Sequence, residues 1–86
     1  MSVVKEMMLN FASVMGNNNK FYHIILTDNS GSYEVLAKYG RVGNNPQRTS
    51  KTFGTLGQAE SFYNKKVAEK TSKGYVEIEL EGLKIN

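Results

Sequence analysis

The sequence predicts an α+β domain: about five mostly antiparallel strands with one α-helix packed on one face of the sheet. Three observations predict it. Short runs of alternating apolar and polar residues recur through the first half of the chain and return in its tail. Clusters rich in Gly, Asn and Ser separate the early runs, as hairpin loops do. A single stretch after Thr55 changes to helical spacing. At 86 residues the chain reads as one domain, residues 1–86, with one hydrophobic core. A domain of this size buries roughly 60% of the surface its unfolded chain exposes, enough to fold with modest stability.

Met7, Leu9 and Phe11 alternate with polar or small residues and predict a first strand over about residues 5–14. Gly16-Asn17-Asn18-Asn19 breaks it with residues that tolerate positive φ. Phe21 to Thr27 is rich in aromatic and β-branched residues and places Tyr22, Ile24 and Leu26 on one face. Asp28-Asn29-Ser30-Gly31-Ser32 is a hairpin loop into a third strand, Tyr33 to Val42. Gly43-Asn44-Asn45-Pro46 is the next break, and Ser50 to Phe53 predicts a short fourth strand.

Thr55 begins the helix, with Gln58 three positions on in the pattern of a capping box. Ala59, Phe62, Tyr63 and Val67 form its apolar stripe, and Gly74 follows as the residue that closes it. Lysines in the last two turns suit the negative end of the helix dipole. The tail from Tyr75 to Leu80 alternates cleanly, with Val76, Ile78 and Leu80 facing one way and Tyr75, Glu77 and Glu79 the other.

An apolar fraction of 40% and an aromatic content of 10% argue against disorder. Cysteine is absent, which excludes disulfides and thiolate metal sites. No signal-peptide core and no membrane-length apolar run can be found, so a soluble, cytoplasmic protein is expected. The formal net charge of +3 is only mildly basic, but its distribution is segmental. Lys38, Arg41, Arg48 and Lys51 follow one another with no acid between, and Lys65, Lys66, Lys70 and Lys73 are interrupted by Glu69 alone. Segmental basic charge is what a one-sided contact with a polyanion requires. On the helix, the lysines read as a solvated face.

The most informative stretch is Lys38-Tyr39-Gly40-Arg41-Val42-Gly43, with Gln47 shortly after it. Tyr39 and Arg41 are two apart, hence on one face of an extended strand, with Gly40 between them. A flat ring beside a planar cation suits stacking on a sugar or base while gripping a phosphate. Tyr39 also has a reading as a core aromatic with its hydroxyl at the rim, and both stay open at this point.

With those residues in place, the chain resembles the WGR domain, a small module named for its Trp-Gly-Arg signature. Asn18-Asn19-Lys20-Phe21-Tyr22 resembles the family's approach to its second strand, and Lys38 to Gly43 with Gln47 resembles the signature. Phe53 to Phe62 resembles the passage from strand to helix, and Lys65-Lys66 through Lys73-Gly74-Tyr75 resembles the helix end. WGR domains occur in DNA-dependent poly(ADP-ribose) polymerases, where they bind DNA near strand breaks. The resemblance implies a DNA contact centred on Tyr39, Gly40 and Arg41, helped by Asn19, Lys20, Lys38, Gln47 and Arg48. It does not imply ADP-ribosyl transfer. Two departures stand out: Tyr39 replaces the signature Trp, and Pro46 removes an N–H donor from the loop that follows.

Other chemistry finds little support. His23 is the only histidine, and it lies opposite Tyr22 and Ile24 on its strand, in a structural or surface position. Asp28 sits in a turn, and Glu77 with Glu79 reads as a solvated acidic edge. Neither a nucleophile–base constellation nor a phosphate-cradling loop nor a metal motif is present, so no enzyme activity, cofactor or metal is expected. DNA is the leading partner, a protein partner docking on exposed strand edges the alternative, and RNA the third reading.

Overall fold

Residues 2–11, 19–41 and 45–78 are described by a computed structural model. The strands are β1 (Ser2–Phe11), β2 (Lys20–Asp28), β3 (Tyr33–Arg41), β4 (Gln47–Phe53) and β5 (Val76–Ile78), with helix α1 (Leu56–Ser72) between the last two. They form one sheet in the order β4-β3-β2-β1-β5, and every neighbouring pair is antiparallel. The fold is the α+β arrangement that the sequence predicts, with α1 packed on one face.

Residues directly opposite on antiparallel strands project to the same side. Leu9 pairs with Tyr22, and Tyr22 with Tyr39; Met7 pairs with Ile24, and Ile24 with Ala37. Lys5 pairs with Leu26, and Leu26 with Val35. These rows face α1, and Leu9, Tyr22, Ile24, Leu26, Val35 and Ala37 are buried against Ala59 and Tyr63. The alternate rows carry Met8, Phe21, His23, Ile25, Leu36 and Lys38 on the face without a helix. There His23 Nε2 lies 2.8 Å from Glu6 Oε2, a surface pairing rather than a reactive one.

The chain reversals follow from side-chain chemistry. At the β2–β3 hairpin, Asp28 Oδ1 accepts from the Ser30 N–H at 2.9 Å. Ser30 and Gly31 both take positive φ, 58° and 116°, which small and flexible residues tolerate. Thr55 Oγ1 accepts from the Gln58 N–H at 3.2 Å, capping α1 as its spacing predicts. At the other end, the Gly74 N–H donates to Thr71 O and the Tyr75 N–H to Lys70 O. With Gly74 at φ 109°, this is a Schellman closure, which ties off the last helical carbonyls.

Two strand starts and the facing of one strand differ from the sequence expectation. β1 begins at Ser2 rather than near residue 5, because Ser2 and Val3 pair with Asp28 and Thr27 across a bulge before Lys5; residues 12–14 of the expected strand fall outside the described residues. β4 begins at Gln47 rather than Ser50, held by its ladder to β3 although every residue before Phe53 is exposed. β5 pairs Glu77 with Leu9 and Val76 with Asn10. That register turns Tyr75 and Glu77 toward the helix side and leaves Val76 66% exposed on the open face. Leu80 and Glu79 lie outside the described residues, as do Val42, Gly43 and Asn44.

Tyr63 is fully enclosed, and burial, followed by the charges of Glu77 and Glu6, pushes its hydroxyl up to about 12 from 10.0. The folded state therefore favours the neutral phenol. The stability this provides is complete below pH 10 and is lost as pH rises toward 12. Absorbance of tyrosinate followed against pH is expected to show the Tyr63 phenol ionising only as pH approaches 12, together with loss of the folded circular dichroism.

Candidate nucleic-acid interface

The strand register brings most of the sequence-predicted site to one end of the sheet. Lys20 at the start of β2 stands directly opposite Arg41 at the end of β3. One row inward on the same face come Tyr22, Tyr39 and Gln47 in line. Between these rows, Phe21 and Gly40 occupy the opposite face. Next on that opposite face come His23, Lys38 and Arg48. Lys20, Tyr39, Arg41 and Gln47 thus share the helix side, whereas Lys38 and Arg48 lie on the open face about 10 Å back along the strands. The basic segment from Lys38 to Lys51 is contiguous in sequence but divided in space, because side chains alternate with period two. Asn19 is exposed immediately before Lys20.

Like charges directly opposite on neighbouring strands destabilise a sheet. This sheet carries two such pairs near the same end, Lys20 with Arg41 and Lys38 with Arg48.

Tyr39 is half-buried, its ring centroid 5.9 Å from that of Tyr22 at a tilt of 33°. One side of the ring thus belongs to the core. Burial raises the pKa of the Tyr22 hydroxyl, aided by the charge of Glu69, so that residue is a neutral support beneath it. Gly40 has φ 151°, a region in which side-chain-bearing residues are strained. A Cβ there would meet only Pro46 Cα at 3.7 Å and backbone of Asn45 and Gln47 at 4.0 Å. Backbone conformation rather than crowding therefore calls for glycine. Gly40→Ala is expected to lower stability by about 1–3 kcal/mol, measurable as a shift of the urea midpoint.

The structure adds residues to this end that sequence reasoning left aside. Beside Lys20, which the sequence already placed in the site, Phe11, Lys70, Lys73 and Tyr75 line a groove of about 320 Å³. Phe11 and Tyr75 pack with centroids 5.6 Å apart. The Lys70 ammonium lies 4.9 Å from the Tyr22 ring centroid and 5.8 Å from that of Tyr75, within cation–π range. Desolvation lowers the pKa of Lys70, and the neighbouring Lys73 charge lowers it further, while Glu69 opposes both. The helix lysines are therefore not one solvated face: Lys65 and Lys73 are exposed, but Lys66 and Lys70 lie half-buried along the side turned to the sheet. Their spacing from Phe62, four and eight positions on, was the signal for this in the sequence.

A small sheet-and-helix domain with cations and aromatic rings gathered at one end is, by fold and surface, a binding module. Its family follows from comparison with known proteins: the WGR domain family model matches residues 5–81, and the chain belongs to that family, whose members in poly(ADP-ribose) polymerases are nucleic-acid-binding modules. It is 37% identical over 59 residues to Poly [ADP-ribose] polymerase 2 of Caenorhabditis elegans, a match covering 69% of this chain and 11% of that protein. It is 36% identical over 70 residues to human Protein mono-ADP-ribosyltransferase PARP3, covering 80% of this chain and 13% of that one. A crystal structure of a protein from Bacteroides fragilis superposes with TM-score 0.69 at 32% identity, over 95% of this chain and 22% of the other. The chain spans only a small part of each of these relatives. Among the described residues no helix is long and apolar enough to cross a membrane.

Proposed function

We propose that this domain binds DNA at duplex ends or breaks, through backbone contacts and without catalysis, in a cytoplasmic setting. The observation that carries the reading is the cationic pair Lys20 and Arg41 at the end of the sheet, with Tyr39 one row inward. Two cations side by side on neighbouring strands offer a joint set of charged donors to one phosphate. The exposed side of Tyr39, backed by Tyr22, offers a platform for the last sugar or base of a strand. Gly40, on the opposite face between these rows, supplies the positive-φ backbone that links Tyr39 to Arg41. Lys70 and Lys73, beside Lys20, extend the positive surface toward the next phosphate. Asn19 and Gln47 supply neutral hydrogen-bonding groups at its margins. Lys38 and Arg48, on the far face, attract a polyanion from a distance rather than sharing the same contact.

Each phosphate neutralised contributes about −0.9 to the slope of log affinity against log salt concentration. With Lys20, Arg41 and one of the helix lysines engaged, a slope of roughly −3 is expected. Fluorescence anisotropy of a labelled duplex across a salt series measures it, and a slope near zero would rule out the phosphate contacts.

One observation favours a protein partner instead. The open face of the sheet carries half-buried Met8, Phe21, Ile25 and Leu36 beside the exposed Val76. Binding through that face would be indifferent to salt and to Arg41.

A further inference from the structure

A second groove among the described residues lies beyond the proposed DNA contact, on the other side of Lys70. It runs between α1 and the β3–β4 ribbon and encloses about 440 Å³, within the roughly 300–1,000 Å³ typical of small-ligand pockets. Val35 and Ala37 line it below, and the rings of Tyr22, Tyr39 and Phe62 form its walls. Lys51, Lys66 and Lys70 stand along it. Phe62 is held by Phe53, centroid to centroid 5.4 Å. The ammonium groups of Lys51 and Lys66 lie 5.6 and 5.5 Å from that one Phe62 ring centroid. Three cations therefore stand over aromatic rings around a single cavity. The nearby acid is Glu69, whose carboxylate is 3.6 Å from Lys66. That is a long, partly solvated pair, of the kind a competing anion displaces at little cost.

Small apolar residues below, flat rings at the sides and ammonium groups at the rim match a flat heterocycle joined to a phosphate. We infer that this groove binds one unpaired nucleotide, its base against the Phe62 and Tyr39 rings and its phosphate between Lys51 and Lys66. Tyr39 lines this groove as well as belonging to the DNA-facing row, and Lys70 lines both grooves. A nucleotide extending past the last base pair of a bound duplex therefore enters without crossing a gap. The inference rests on the proposed DNA reading for that source of nucleotide; the other source is a free nucleoside monophosphate.

The test uses the whole chain and the double variant Lys51→Ala/Lys66→Ala, whose fold is checked from its amide NMR spectrum. Anisotropy compares a 5′-phosphorylated blunt duplex with the same duplex carrying a one-nucleotide extension. Stacking of one base predicts at least about fivefold tighter binding of the extended duplex by the native chain, and loss of that difference in the variant. Equal binding of the two duplexes by the native chain, or a difference that survives in the variant, would overturn the inference for strand ends.

A second arm titrates adenosine monophosphate, with inorganic phosphate as the control, and reads the amides of Thr49, Lys51 and Phe62. Shifts with the nucleotide, absent with phosphate and lost in the variant, support the groove even if neither duplex binds, in which case only the DNA reading fails. No shifts, or the same shifts with phosphate alone, would overturn the groove as a nucleotide site.

Discussion

Tyr63→Ala is expected to lower the stability of the domain by about 3–5 kcal/mol, a large share of what a domain this small possesses. Tyr63 is 1% exposed and is the largest of the fully buried side chains. It stands at the centre of the contact between α1 and the sheet, among Leu9, Ile24 and Leu26, with the Lys5 ammonium 4.9 Å from its ring centroid. Removing the ring loses its transfer free energy and leaves a cavity that a stiff antiparallel sheet relaxes into poorly. Tyr63→Phe keeps the volume and is expected to cost far less. Urea unfolding of the two variants checks this, and a Tyr63→Ala midpoint close to the native one would mean that the helix is not anchored there.

Arg41→Ala combined with Lys20→Ala is expected to weaken duplex binding tenfold or more at low salt and to reduce the salt slope by about 2, one for each phosphate contact removed. Arg41→Ala alone is expected to weaken binding several-fold while the fold stays intact. Both residues are exposed at the end of the sheet, so neither change opens a cavity. Lys20→Ala should leave stability unchanged or slightly raised, since it removes one of two opposed like charges. A loss of affinity without a loss of stability separates a ligand contact from a structural role. Native affinity and native salt slope in the double variant would remove these residues from the interface.

Much of the fold was legible in the sequence where one face of an element is buried. Tyr22, Ile24 and Leu26 announce β2 because burial imposes their alternation, and Thr55 and Gly74 announce the ends of α1 because orphaned backbone groups need those residue types. β4 was only half legible. An edge strand whose side chains face solvent carries no apolar period, so Gln47 to Thr49 read as loop although they pair with β3. The orientation of β5 was hidden for a different reason: in so short an element, pairing with β1 rather than its own pattern decides which side is covered.

The candidate site was legible as a motif but not as a surface. Tyr39 and Arg41 lie on one face as their spacing requires, and Lys20 joins them through strand pairing that no local pattern encodes. The run of basic residues from Lys38 to Lys51 suggests one patch, yet strand parity sends Lys38 and Arg48 to the far side. Phe11 and Tyr75 come from opposite ends of the chain and meet only when β5 closes on β1. Lys70 and Tyr39 answer a question the sequence leaves open: the ring is shared between core and surface, and the lysine stands between two grooves.

The most direct test of end recognition is competition. A labelled, 5′-phosphorylated blunt duplex is bound to the domain at low salt, and unlabelled closed-circular duplex is added at equal nucleotide concentration. The expected result is that the closed circle competes poorly while the linear duplex displaces the label fully. Equal competition by circle and linear DNA would contradict recognition of ends and reduce the interface to a general attraction for the phosphate backbone.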